Sequence, residues 1–139
     1  MLQFVISFCF YSVLGWAIDT AYRSLLARRY KPGGFSKAPF SPIYGLAGLF
    51  IVWIAPAVAG WHLLLQWAFF TVVLGAYEYL GGVLTHRVFK RRLWDYRRDP
   101  WDLHGHTGPQ FAAAWGLLAL AVMHVIHPSL TRFLTGINI

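Results

Sequence analysis

Charge is what this sequence has least of. Only 12% of its 139 residues are Asp, Glu, Lys or Arg, against about 25% in an average soluble domain. So few charges do not cover a water-exposed surface, and most of the surface is expected to face lipid. Acidic residues are scarcest, five against twelve Lys and Arg, which leaves a net charge of +7. The single cysteine, Cys9, has no partner for an internal disulfide. There is no G-x-x-x-x-G-K-[ST], which excludes nucleotide binding through a P-loop, and no G-x-S-x-G nucleophile elbow. No internal repeat is visible, so an inverted-repeat transporter fold within one chain gets no support. No charged n-region precedes the first apolar run, which also continues past signal-peptide length, so it is read as a span.

What is present is apolar: 58% of residues are hydrophobic and the mean hydropathy is +0.51. These residues fall into four runs. A bilayer core needs about 20 residues per helix. The reading is therefore an all-α integral membrane bundle of four transmembrane helices, a single domain over residues 1–139. Its spans cover approximately residues 2–26, 41–59, 63–86 and 109–127, the last ending at His127-Pro128. Pro42 suits a helix start, and Pro56 is expected to kink or end the second helix. Gly60-Trp61-His62 makes a tight turn before the third.

Ten of the twelve Lys and Arg cluster in two loops. The first carries Arg28, Arg29, Lys31 and Lys37; the second carries Arg87, Lys90, Arg91, Arg92, Arg97 and Arg98. The intervening turn has none. By the positive-inside rule both loops are cytoplasmic and both termini lie outside, in a cell-membrane protein. Clustering in loops, rather than along a face, argues against nucleic acid as the partner. The Trp- and Tyr-rich segment before the last span is expected to lie along the headgroup layer. There Arg91, Arg92, Arg97 and Arg98 attract anionic lipid headgroups.

Two carboxylates sit inside apolar helices, where a charge costs at least about 2.5–3.5 kcal/mol and needs a reason. Asp19 has Arg23 one turn along the same face and pairs with it in cis. Glu78 has no Lys or Arg at positions 74, 75, 81 or 82, so its partner comes from another helix, a loop, water or a proton. Asp19, Arg23 and Glu78 together define an intramembrane polar site. It reads either as a structural network fixing helix register or as a site for a cation, proton or lipid headgroup. The later loop collects Trp94, Asp95, Tyr96, Asp99, Asp102, His104 and His106. His-x-His with nearby carboxylates can supply metal ligands, but the spacing matches no specific motif, and neither a metal nor a cofactor is assigned. Gly45 and Gly48, and Gly75, Gly81 and Gly82, allow close helix approach.

The order of short motifs resembles one family. Tyr11-Ser12-Val13-Leu14-Gly15-Trp16, Asp19 and Tyr22-Arg23-Ser24 are similar to its opening. Gly34-Phe35 and Pro39-Phe40-Ser41-Pro42-Ile43-Tyr44-Gly45 match its first-loop pattern. Glu78-Tyr79, Leu93-Trp94-Asp95-Tyr96, Gly105, Trp115-Gly116-Leu117-Leu118 and His127-Pro128 continue it to the end. These residues resemble the CmpB-like family of ABC-transporter type IV integral membrane proteins. Asp19 stands where that family usually has Glu, and Gly105-His106 where it often has Gly-Arg. The resemblance implies a transport role, with Gly34, Phe35, Pro39, Pro42, Tyr44 and Gly45 as its loop motif.

Three functions follow as expectations. The first is a transport-related or accessory subunit of a membrane complex, homo-oligomeric or joined to other subunits because four spans are too few to enclose a large pathway. The second is a small intramembrane enzyme acting on a lipid or isoprenoid headgroup, with Glu78 or Asp19 as general base. The third is an ion or proton pathway through Glu78.

Overall fold

The structure, a computed structural model, describes residues 1–33 and 38–137, and within these it is all-helical, without a strand. Helix α1 spans Leu2–Ala27, α2 Pro42–Val58, α3 Leu63–Phe89, α4 Pro109–Ala121 and α5 His127–Gly136, with a π turn over Val122–Ile126 joining the last two. Three helices are long and apolar enough to cross a membrane: α1, α3 and the continuous stretch Pro109–Gly136. Helix α2 is shorter, at 17 residues.

The helix ends follow from local chemistry. Arg28 closes α1 in the left-handed region at φ 51°, donating its N–H to the Leu25 carbonyl, while Arg29 donates to Ser24. This is the double hydrogen bond usually built around glycine. Lys90 closes α3 in the same conformation at φ 56°. Both positions favour glycine sterically but carry a cation, which suits the negative end of the helix dipole. Helix α2 starts at Pro42 and stops two residues past Pro56, as expected. His62 caps α3, its Nδ1 accepting from Leu64 N–H.

One expectation needs correction. The sequence reading ends the last helix at His127-Pro128, whereas the helix runs on to Gly136. A proline inside a helix lacks an N–H and crowds the carbonyl four residues back. The π turn over Val122–Ile126 sits immediately before Pro128 and widens the backbone there. The chain therefore passes the proline without breaking.

The residues form two compact units, Met1–Trp53 with His127–Ile139, and Ile54–Ile126. In the first, α1 and α2 approach through glycines. A Cβ on Gly45 would lie 2.1 Å from Ser12 Oγ, one on Gly48 2.3 Å from Tyr11 Cγ, and one on Gly15 2.2 Å from Tyr44 Cβ. The Tyr11 hydroxyl lies 3.0 Å from His127 Nδ1.

In the second unit, α3 packs on α4 through Gly75 against Ala112 and Gly116 against Trp67 and Thr71. Trp67 Nε1 donates to the Ala113 carbonyl at 3.1 Å. Phe70 and Leu74 are buried between. Gln66, also buried, donates through Nε2 to the carbonyls of Val58 and Trp61, both at 3.0 Å, and its Oε1 lies 2.8 Å from His124 Nε2. A single amide thereby ties the α2–α3 turn to the π turn.

Candidate functional site

Helix α3 carries Glu78 into the second unit, 6% exposed. Its partners come from the segment between α3 and α4, residues 90–108, which folds back along the helix. Tyr96 Oη donates to Glu78 Oε1 at 3.0 Å, and Thr107 Oγ1 donates to Oε2 at 2.6 Å. Of the partner classes open in the sequence, a loop is therefore one that is realised. Tyr96 is aimed by stacking on Phe111, with ring centroids 3.8 Å apart and planes 14° apart. Thr107 is 4% exposed and is fixed by its own carbonyl, which accepts from Leu103 N–H at 2.7 Å.

The segment holds its shape through backbone acceptors. Trp94 Nε1 donates to the His106 carbonyl at 2.7 Å, and Arg92 Nη1 donates to the His104 carbonyl at 2.9 Å. Tyr96 N–H reaches Gly105 O at 3.0 Å, and Gly105 N–H reaches Asp102 Oδ2 at 2.7 Å. Gly105 needs to be glycine twice over: its φ is +73°, and a Cβ would lie 2.5 Å from Arg97 Cγ. Trp101 and His104 also adopt positive φ, 58° and 52°. Asp95 binds Arg97 through both carboxylate oxygens, with Nη2 to Oδ2 at 2.6 Å. The hydrogen bond from the Arg97 guanidinium pulls the Asp95 carboxyl down to about 2, below the usual carboxylate range.

The two loop histidines are placed differently. His104 Nδ1 lies 3.2 Å from Tyr79 Oη and is exposed. His106 is 6% exposed, and its Nδ1 has no hydrogen-bond partner among the described residues. Burial, the nearby Arg92 charge and the other two histidines hold the His106 ring below the ordinary histidine range. It meets Tyr79 edge-on, with centroids 5.5 Å apart, and His86 at 6.2 Å. Among the described residues no group of three His, Cys, Asp or Glu side chains is placed to hold a metal.

The other predicted acid lies in the first unit. Arg23 Nε donates to Asp19 Oδ1 at 2.9 Å, the cis pair expected one turn apart. Gly33 rests on Asp19, where a Cβ would come within 2.3 Å of Oδ2, and its N–H donates to Thr20 Oγ1 at 3.0 Å. Of the loop motif, Pro42 starts α2, Tyr44 and Gly45 pack on α1, and Pro39 is exposed. Gly34 and Phe35 lie outside the described residues. Of the four arginines read as lipid-facing, Arg91, Arg97 and Arg98 are exposed, while Arg92 is partly covered and Arg97 is bound to Asp95.

Sequence reasoning missed Thr107, Gln66 and His124. Gln66 and His124 are lone polar residues in apolar runs, Thr107 is one of several polar residues in the loop, and only the fold brings each to a partner. Gln66, in the apolar run Leu63–Phe70, carried the one available signal: a polar side chain where the pattern calls for an apolar one.

An all-helical chain with three membrane-length helices and a buried carboxylate held by a folded loop defines a polytopic membrane protein. The comparisons narrow the class. A family described as "Putative ABC-transporter type IV" matches residues 6–139, and the chain belongs to that family. Neither the curated proteins nor the solved structures gave a match. The family description points to a transport-related membrane protein, as the resemblance of its motifs implied.

Proposed function

We propose that the chain is a transport-related accessory subunit that works within a larger membrane assembly, with Glu78 as its functional acid. The observation that carries this reading is the Glu78 centre. A buried carboxylate on a membrane-spanning helix is held by the hydroxyls of Tyr96 and Thr107. An acid in such a helix is costly and is characteristic of ion and substrate pathways. A purely structural role is met more cheaply by an apolar side chain, since α3 and α4 already interlock through Gly75 and Gly116. The assembly is supported by the span count, since three long spans and one short helix among the described residues enclose no large pathway alone.

Glu78→Gln tests it. The variant should insert and accumulate like the parent while failing to rescue the defect of cells that lack the chain. Full rescue at normal yield removes Glu78 from the function. A collapse of folded yield instead makes it a structural element.

A further inference from the structure

Positions 78, 82 and 86 lie one helical turn apart and therefore share one face of α3. The middle position is Gly82, buried and without a side chain. The gap is filled from the loop: His106 Nδ1 sits 2.7 Å from where a Gly82 Cβ would be. This nitrogen therefore stands against α3 at Gly82, one helical turn from Glu78. The next residue along the loop, Thr107, donates to Glu78 itself. On the other side, the ring of His86 lies 6.2 Å from that of His106, a separation one water can bridge, and His86 is exposed. Glu78, His106 and His86 thus follow one another along α3 from its buried middle to its exposed end.

A space filler at Gly82 would be expected to be apolar. A buried ring nitrogen without a hydrogen-bond partner is destabilising, yet His106 Nδ1 has none among the described residues. We propose that Glu78, His106 and His86 form a proton-carrying column joining the buried carboxylate to the exposed end of α3 at the basic loop. A proton taken up by the His86 imidazole passes to His106, whose ring accepts on one nitrogen and releases from the other, and then to the Glu78 carboxylate. Every step is a proton transfer and needs no other reactant. The titratable and charged groups around the column are Tyr79 of α3 and Arg92, Asp95, Tyr96 and His104 of the loop. Burial keeps the His106 ring neutral at pH 7, the state that can accept a proton.

The inference rests on the reading of Glu78 as a functional acid. The test is a pH jump on the full-length chain in proteoliposomes, followed by rapid infrared spectroscopy of the carboxyl band that Glu78→Gln abolishes. His106→Phe, which keeps the gap filled, and His86→Gln, at the exposed end, should each slow that band by at least about tenfold while preserving its final amplitude. A parental rate in either variant overturns the column. Should His106→Phe not fold, His86→Gln decides alone, slowing supporting the column and a parental rate overturning it. If the parent shows a Glu78 band that responds to pH but neither variant slows it, the column fails and the acid stands. If the parent shows no such band, the reading of Glu78 fails with it.

Discussion

At Glu78 the carboxylate is an acceptor only, and the hydroxyls of Tyr96 and Thr107 act as donors. Glutamine keeps the length of the side chain and one acceptor, and its NH2 can donate to a hydroxyl that has turned round. The cost of Glu78→Gln in folding is accordingly about 1 kcal/mol or less. That is why rescue, rather than yield, reads its role. Asp95 behaves differently. Its carboxyl titrates at about 2 in the folded chain instead of 3.8, chiefly through the Arg97 hydrogen bond. The stabilisation linked to this pair is present above pH 3.8 and disappears as the pH falls through about 2. Arg97→Gln should move the Asp95 titration up toward 3.8 in a carboxyl-detected NMR experiment. An unmoved titration would mean that the pairing does not persist in solution. At this scale the acids were legible because charge in an apolar run stands out. Asp19 showed its partner as well, since Arg23 lies within one turn. The partners of Glu78 did not show, because Tyr96 and Thr107 are 18 and 29 residues away and only the fold of the loop brings them to it.

Among the elements, the glycines fix how closely helices approach. Gly45 allows α2 to rest on Ser12 and Phe8, where a Cβ would stand 2.1 Å and 2.7 Å away. Neither neighbour yields easily, since Ser12 is wholly buried and bonded through Oγ to the Phe8 carbonyl. Gly45→Ala should cost about 1–3 kcal/mol, the usual range for overpacking, and lower the thermal midpoint in detergent. Gly60→Ala is the control, since a Cβ there meets nothing within 4 Å. Equal midpoints for both would contradict the α1–α2 packing. These contacts were legible as small residues at helical spacing, and so were the four apolar runs and the turn at Gly60-Trp61-His62. The end of the last helix was not. Pro128 reads as a stop in sequence, and the π turn that lets the helix pass it depends on backbone geometry that no residue type announces. The left-handed ends at Arg28 and Lys90 were hidden for the same reason, because neither carries the glycine that signals such an end.

For the whole molecule, the scarcity of charge and the apolar runs already required a membrane, and the motif order pointed to the family that matches residues 6–139. The proposed accessory role makes its activity depend on partner subunits. Among the described residues, three membrane-length helices and a short α2 are too few to enclose a large conduit, which is what motivates that proposal. Native mass spectrometry of the chain, extracted in mild detergent from its own membrane, tests this most directly. The chain should emerge with other subunits at fixed stoichiometry. A lone chain, or copies of this chain alone with bound phospholipid, would contradict the accessory role and turn attention to lipid chemistry at Asp19, Arg23 and Glu78.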